Sequence, residues 1–369
     1  MRQPFSNRTD WNAPTNRITA ARQRRGGDIL DLTESNPTRA AIAYPLDELS
    51  EIFARAARAP YTPDPRGLAS AREALGGGDV ILAASTSEAY SFLFKLLCNP
   101  GDEVVTAIPS YPLFEHLSAL ESVTLRPFAL EFHKRWEFDI ARVREAINSR
   151  TRAIVVVNPN NPTGSFVTAE EQEAIAQLRL PIISDEVFLD YPLDGRGSSF
   201  VRDDILTFTL GGLSKSAGLP HYKLGWIRVS GSKKEEALAA LELIADNFLS
   251  VATPVQVALP DILAIAPRMR EAISERTRRN LAHLRSSVPP SVTVLPVEGG
   301  WSAVVRVPTT ESDEDLAVRL IERHGVVVHP GYFFDFHSDG YLVISLLTWP
   351  QIFDEGVRRI MDIIPNDER

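Results

Sequence analysis

Between about residues 79 and 229, short runs rich in β-branched residues alternate with amphipathic stretches of helical period. One helical stretch starts with Thr168-Ala169-Glu170-Glu171, which has the form of a capping box. This alternation predicts an α/β fold with a mostly parallel sheet between helices. In such sheets, ligands bind beyond the carboxyl ends of the strands. The predicted strands are 80–82, 103–106, 153–157, 181–184, 206–210 and 224–229, and the helices between them include 88–97, 113–120 and 168–178.

After about residue 259 the pattern changes. A long helical stretch with many arginines runs to about residue 286. Short strand-like runs then follow, together with helical stretches at 313–324 and 352–363. This second pattern predicts a smaller α+β domain at the end of the chain.

Composition narrows the class of protein. The 369 residues are enough for two domains or one large α/β unit. The net charge of −9 argues against a nucleic-acid partner. The single cysteine, Cys98, leaves neither a disulfide within the chain nor a cysteine-based metal cage, and we predict no metal site. Residues 1–11 lack the apolar core of a signal peptide and no run reaches membrane-spanning length, so we expect a cytoplasmic protein without a membrane partner.

Three polar residues follow strand-like runs and have complementary chemistry. Lys215 lies among small residues after the run 206–210, and Asp185 follows the run 180–184. Asn161 lies in the segment 158–164, just after the run 153–157. A flexible amine that can lose its proton is what Schiff-base chemistry with a carbonyl cofactor requires. An amide, a carboxylate and a lysine at strand ends together predict a site for pyridoxal 5′-phosphate.

With the turn Ser85-Thr86-Ser87 and Tyr111 also in order, the sequence resembles the fold-type I pyridoxal-phosphate enzymes from about residue 32 to residue 363. Within them it is similar to the class I/II aminotransferases of the aspartate-aminotransferase-like superfamily. The resemblance implies a large cofactor-binding domain over 46–265. It also implies a small domain built from 1–45 and 266–369, and a homodimer.

The resemblance assigns roles around the cofactor ring. Lys215 would form the Schiff base and carry the catalytic proton. Asp185 would pair with the pyridinium nitrogen and keep it protonated, which makes the ring an electron sink. Asn161 would donate to the phenolic oxygen, and Tyr111 would stack on the ring.

A second group of residues is expected at the cofactor phosphate. Thr86 and Ser87 would use their backbone amides and hydroxyls at the positive end of a helix. The hydroxyl of Ser214 would reach the same phosphate. Lys223 stands where many relatives have an arginine, and it would supply a point charge rather than a bidentate fork. Tyr61 would cross the dimer interface to the phosphate of the neighbouring subunit.

Two positions depart from the family pattern. Phe188 replaces a tyrosine that donates to the phenolic oxygen in many relatives, so the Schiff-base nitrogen should keep its proton to higher pH. Val343 replaces the late-strand arginine that holds the α-carboxylate of an amino acid as a fork. Arg66, Arg39 and Asn161 are the candidate replacements, and Arg66 from the neighbouring subunit is favoured because Tyr61 is expected to cross with it.

The substrate side is expected to be apolar. Ser35-Asn36-Pro37, Trp301 and either Tyr332 or Phe333 are the residues expected there. The sequence therefore predicts an aminotransferase for an amino acid with a small or apolar side chain and a 2-oxo acid acceptor. The alternatives are a lyase, racemase or decarboxylase on the same scaffold, an amine-type substrate, and a non-enzymatic effector-sensing domain.

Overall fold

The computed structural model describes residues 5–308 and 311–364. Its strands are β1 (Leu30–Asp31), β2 (Val80–Ala83), β3 (Glu103–Ile108), β4 (Thr124–Ala129), β5 (Glu131–Phe132), β6 (Trp136–Glu137), β7 (Thr151–Val157), β8 (Ile182–Asp185), β9 (Thr207–Gly212), β10 (Gly225–Ser230), β11 (Thr293–Val294), β12 (Ser302–Arg306), β13 (Val326–Val327), β14 (His329–Pro330) and β15 (Tyr341–Ser345).

The helices surround these strands. They are α1 (Arg17–Arg25), α2 (Leu46–Ala56), α3 (Ala69–Ala74), α4 (Thr86–Leu97), α5 (Leu113–Leu120), α6 (Ile140–Ala146), α7 (Ala169–Ala176), α8 (Leu213–Ser216), α9 (Lys234–Asp246), α10 (Thr253–Ser287), α11 (Asp313–His324) and α12 (Pro350–Ile363). The predicted capping box is present at the start of α7, where Thr168 and Glu171 each bond the other's backbone N–H. Among the described residues, no helix is both long enough and apolar enough to cross a membrane.

Seven strands form the larger sheet, in the spatial order β2-β10-β9-β8-β7-β3-β4. Only β10 runs antiparallel to its neighbours, so the carboxyl ends of the other six strands lie along one edge. Both faces are covered, because alternate residues of β7 enter different cores. Val155 packs in the core that contains Phe94 of α4, whereas Ile154 packs in the core that contains Ile175 of α7. The predicted α/β fold with a mostly parallel sheet is confirmed.

A second, antiparallel sheet has the order β11-β12-β15-β14. Leu342 and Ile344 of β15 pack in a core with residues of α1, α11 and α12. The N-terminal segment joins this part of the chain, since β1 pairs in parallel with β13 and Ile18 of α1 enters the same core. Helix α10 crosses position 265, where we placed a domain boundary, and that boundary stays a prediction.

Candidate active site

A cavity of about 360 Å³ lies at the carboxyl edge of the seven-stranded sheet. Residues of the antiparallel sheet close its opposite side, among them Val343 and Ser345 of β15. Most of the residues predicted at the cofactor meet in this cavity. Those that line it are Thr86, Ser87, Tyr111, Asn161, Asp185, Ser214, Lys215 and, on the predicted substrate side, Trp301 and Phe333.

Lys215 lies in the short helix α8, directly after β9. Its Nζ is 4.9 Å from the ring centroid of Trp301 and 5.4 Å from that of Phe188. Burial lowers the pKa of Lys215 to about 8, and the nearby charge of Asp185 acts in the opposite direction. About a tenth of the amine is therefore neutral at pH 7, far more than for a lysine with the ordinary pKa of about 10.4, and the neutral amine is the nucleophile that a carbonyl requires.

Asp185 is the last residue of β8 and is buried. Its Oδ2 accepts a hydrogen bond from the hydroxyl of Tyr90 at 3.1 Å, and its Oδ1 accepts one from the N–H of Val187 at 3.2 Å. Burial raises the pKa of Asp185 to about 6, whereas both hydrogen bonds and Lys215 lower it. The carboxylate is thus partly stabilised by its neighbours and is suited to a cationic partner.

Tyr90 was missed from the sequence, where it is one of several aromatic residues in the apolar pattern of a helix. It is fully buried in α4, and burial raises its pKa, so its hydroxyl stays a donor. A signal did exist in the spacing. Tyr90 follows Thr86 by one helical turn, so both side chains lie on the same face of α4.

The start of α4 forms the polar end of the cavity. Ser85 caps the helix by accepting from the N–H of Glu88 at 3.2 Å, which leaves Thr86 and Ser87 to face the cavity. The first N–H groups of a helix have no partner within it and lie at its positive end. Gly225 of β10 allows this turn to sit closely against the sheet, because a Cβ there would stand 3.0 Å from the carbonyl carbon of Ser85.

The remaining cofactor residues have different positions. Tyr111 lines the cavity and packs edge-on against Phe114, with ring centroids 6.0 Å apart. Lys223 is exposed, has a left-handed backbone with φ of 49° and does not line the cavity. Tyr61 is 69% exposed and lies in a separate surface depression with Leu249. The roles of Lys223 and Tyr61 stay predictions.

Two of the predicted substrate residues also lie away from the cavity of their own chain. Asn36 caps the short 3₁₀ turn Pro37–Arg39 by accepting from the N–H and hydroxyl of Thr38, whereas its neighbour Ser35 does line the cavity. Arg66 donates from Nη2 to the carbonyl of Gly78. The substrate roles of Asn36 and Arg66 stay predictions.

The other two candidates near the substrate are engaged elsewhere. Arg39 forms an ion pair with Glu34 at 3.4 Å, and Tyr332 donates to Glu314 at 2.9 Å. Neither of these two side chains lines the cavity. Of the alternatives Tyr332 and Phe333, the structure therefore brings Phe333 to the site.

Trp301 is the largest side chain on the substrate side. It is 3% exposed and packs edge-on against Phe188 and Tyr191, with centroids 5.2 Å and 5.0 Å away. Its Nε1 is buried and has no hydrogen-bond partner among the described residues. A buried N–H without an acceptor costs about 1–3 kcal/mol, so this group is suited to bind a ligand oxygen.

The antiparallel sheet adds residues that were not predicted from the sequence. Ser302, His329 and Ser345 line the cavity beside Val343. No arginine of the described ranges lines it. The position of Val343 therefore has no local arginine substitute within the described part of this chain.

Comparison with known proteins identifies the family. Residues 43–360 match the family model of aminotransferase class I and II.

The chain belongs to the class I and II aminotransferases.

It is 26% identical to the glutamate-pyruvate aminotransferase AlaA of Haemophilus influenzae, over 95% of this chain and 94% of that protein. It is 25% identical to an alanine aminotransferase of Mycobacterium tuberculosis, over 94% of this chain and 88% of the relative. Among solved structures, the alanine aminotransferase from Pyrococcus furiosus has the same fold, with a TM-score of 0.85 and 23% identity over 95% of this chain and 96% of that one.

Members of this family use pyridoxal 5′-phosphate, and this aminotransferase is a pyridoxal-phosphate-dependent enzyme that acts on an amino acid and a 2-oxo acid. The cavity fits that cofactor. The helix start with Thr86 and Ser87 suits a phosphate, Asp185 suits a protonated ring nitrogen, and Lys215 suits an aldehyde. The comparisons give no support to the lyase, racemase and decarboxylase alternatives or to an amine-type substrate.

Proposed function

We propose that this aminotransferase acts on a monocarboxylic amino acid with a small or apolar side chain, and that a 2-oxo acid such as pyruvate is the acceptor. The observation that carries the proposal is the composition of the substrate wall. Within the described ranges, Lys215 and His329 are the only basic side chains that line the cavity. A second substrate carboxylate buried there without a cationic partner would cost several kcal/mol. The names of the relatives include alanine and pyruvate, which each carry only a methyl group beside the reacting carbon. One of the names also includes glutamate, whose second carboxylate would meet no arginine in this cavity within the described ranges.

The cavity residues have distinct roles in this proposal. When bound, pyridoxal phosphate supplies an aldehyde that links to amines and a ring that accepts electrons from the substrate. Lys215 removes the proton from the substrate Cα and delivers a proton during amino transfer. Trp301 and Phe188 pack around its amine and exclude water. Asp185 holds the proton on the ring nitrogen.

The other predicted residues bind and orient the cofactor. Thr86 and Ser87 donate to the phosphate from the start of α4, and Ser214 adds a hydroxyl. Tyr111 supports the face of the ring, and Asn161 donates to its phenolic oxygen. Lys223 contributes longer-range positive charge to the phosphate.

The test is a single-turnover panel with the purified holoenzyme. Alanine, 2-aminobutyrate, leucine, aspartate and glutamate would each be mixed with the enzyme, and the cofactor spectrum and the oxo-acid product would be measured. We expect the apolar donors to give one equivalent of oxo acid together with the amine form of the cofactor. A preference for aspartate or glutamate, or a product other than an oxo acid, would contradict the proposal.

We also infer that the enzyme works as a homodimer in which Tyr61 completes the neighbouring site. Tyr61 is exposed on its own chain and lies beside Leu249 and Phe92. Phe92 is buried, but its ring packs against the half-exposed Phe248, so the exposed surface near Tyr61 includes apolar side chains. A two-fold dimer would bury this surface against its own copy.

A mixed-dimer experiment tests this arrangement. One chain would carry Lys215→Ala and the other Tyr61→Ala, so that a hybrid has one site with both residues intact only if Tyr61 acts across the interface. We expect activity to recover when the two inactive or weakened homodimers are mixed and exchanged. No recovery in hybrids verified by mass spectrometry, or a fully active monomer in sedimentation, would contradict it.

A further inference from the structure

The position of Val343 leaves the substrate's α-carboxylate without the family's arginine. We infer that His329 binds this carboxylate, with the Nε1–H of Trp301 as a second donor. The inference deepens the proposed function and rests on it, because it takes an α-amino acid as the substrate.

The register of the antiparallel sheet places His329 beside Val343. The two residues are directly opposite each other in the β14–β15 pairing. Side chains of directly opposed residues project from the same face, with Cβ atoms about 4.5–5.5 Å apart. In the β12–β15 pairing, Ser302 lies directly opposite Ser345. Ser345 is two positions after Val343 in β15, so both side chains lie on the same face of the sheet. His329, Val343, Ser302 and Ser345 all line the cavity, so this face forms its substrate wall.

The imidazole of His329 is held by packing and keeps its hydrogen-bonding capacity for a ligand. Its ring centroid is 5.8 Å from those of both Phe333 and Phe334. Across the part of the chain that the structure describes, neither ring nitrogen has a hydrogen-bond partner. An oriented imidazole that lines the cavity can donate one N–H when neutral and two when protonated.

The charges around His329 come from the N-terminal segment. Burial lowers the pKa of His329, Asp31 acts to raise it and Arg22 acts to lower it. Asp31 and Arg22 form an ion pair of 2.8 Å, so the two charges largely offset each other. A substrate carboxylate would therefore be the strongest anion to approach this ring, and its binding favours the protonated form of the imidazole.

Trp301 supplies a second donor beside the reacting amine. Its indole N–H is buried without an acceptor, and its ring lies 4.9 Å from Nζ of Lys215. A carboxylate has two oxygens, and the imidazole and the indole could each bind one of them. In our inference, this pair takes the place of the two-donor guanidinium fork of the relatives that have the arginine.

The test compares an amino acid with the same molecule lacking its carboxylate. Holoenzymes with His329→Ala and His329→Gln would be assayed in single turnovers with L-alanine and with ethylamine. We expect His329→Ala to weaken alanine binding at least about tenfold with little effect on ethylamine, because a hydrogen bond to a charged group is lost. His329→Gln keeps a donor and should recover part of the loss. His221→Ala is the matched control, since His221 is exposed and outside the cavity.

Two results with the His329 variants overturn the inference. Equal losses for alanine and ethylamine would make His329 structural, and unchanged alanine binding in both variants would remove it from the site. Arg66→Ala should affect neither substrate selectively, and a loss confined to alanine there would transfer the role to Arg66.

A measurement on the unmodified enzyme covers the case in which the alanine variant fails to fold. In an NMR spectrum of histidine-labelled holoenzyme, added propionate should shift the signal of one of the seven histidines. That signal should be missing from the spectrum of His329→Gln. Propionamide should not shift it, and no histidine shift with saturating propionate would overturn the inference. Inactivity towards all apolar donors would instead defeat the proposed function, and the His329 comparison could then be repeated with the preferred donor.

Discussion

The two walls of the cavity come from different sheets and have different chemistry. The wall at the seven-stranded sheet carries buried groups that influence each other's protonation, chiefly Asp185 and Lys215. The wall at the antiparallel sheet is mostly apolar and aromatic, with His329 as its basic side chain. The first wall has the groups that amino transfer by this family requires. In our proposal, the second wall determines which substrate binds beside them.

This division explains how the cofactor side of the site can match the family pattern while the substrate side departs from it. In the proposed function, Asp185 and Lys215 bind the same cofactor whatever the substrate, so a change in either should remove the chemistry. Val343 belongs to the antiparallel sheet instead, and this position can differ as long as another group receives the carboxylate. Substitutions in the cofactor wall should therefore lower turnover, whereas those in the substrate wall should change selectivity.

The largest effect is expected for Lys215→Ala. Loss of the amine removes both the attachment point of the cofactor and the catalytic base, so turnover should fall by at least about a thousandfold. Borohydride reduction followed by peptide mapping should find the cofactor on the Lys215 peptide of the unmodified enzyme and on no peptide of the variant. Lys223→Ala is the control and should retain the covalent attachment. Trapped cofactor on a peptide without Lys215 would show that the site is misassigned.

Asp185→Asn should come next, with turnover lower by about a hundredfold or more while the cofactor still binds. Tyr90→Phe removes one hydrogen bond to the same carboxylate and should cost about tenfold or less. In the Asp185→Asn background, Tyr90→Phe should have little further effect, because the charge that it stabilises is gone. Additive losses in this double-mutant cycle would separate Tyr90 from Asp185, and near-normal turnover of Asp185→Asn would remove that residue from the mechanism.

Capture of added cofactor by the apoprotein should report the pKa of Lys215. The neutral amine is the nucleophile, so the rate should rise by about tenfold per pH unit and level off above about pH 8. Asp185→Asn should move this midpoint to lower pH, because Asp185 raises the pKa of Lys215. A short lysine peptide, whose amine titrates near its ordinary pKa of about 10.4, corrects for titration of the cofactor itself. If the capture rate of the protein followed the same pH dependence as that of the peptide, the lowered pKa of a buried Lys215 amine would be contradicted.

The smallest effect is expected in the substrate wall, for Trp301→Phe. Phenylalanine keeps an aromatic contact with Phe188 and Tyr191 but lacks the N–H donor. Binding of alanine should weaken by about fivefold, which corresponds to one hydrogen bond of about 1 kcal/mol, and binding of ethylamine should be unchanged. A fall in turnover with both substrates would assign Trp301 to the cofactor wall instead.

The sequence predicted the cofactor wall better than the substrate wall, for a physical reason. Asp185 ends a strand of the parallel part of the sheet, and Asn161 and Lys215 follow two others. Parallel strands bring their carboxyl ends to one edge without further information. His329 and Ser345 reach the cavity through the register of an antiparallel sheet formed late in the chain. A shift of one residue would turn both side chains to the other face, and no local pattern specified that register.

The role of a site residue within a helix was difficult to predict from the sequence for another reason. The position of Tyr90 in α4 fits a core residue, and its ring does pack in a hydrophobic core. Its hydroxyl also donates to Asp185, and that bond is visible only in the folded structure. Arg66, which lies in a turn outside the helices, shows the opposite case. Its charge suggested a carboxylate partner, but the structure engages its guanidinium with the carbonyl of Gly78, and its role in a neighbouring site stays a prediction.

The most direct test of the two-wall account is a crystal structure of the holoenzyme with bound propionate. We predict the phosphate at the start of α4, the ring nitrogen at Asp185, and the propionate carboxylate within hydrogen-bond distance of His329 beside Val343. A carboxylate held by Arg66 of a neighbouring subunit would contradict the account of the substrate wall. A cofactor bound away from Lys215 and Asp185 would contradict the account as a whole.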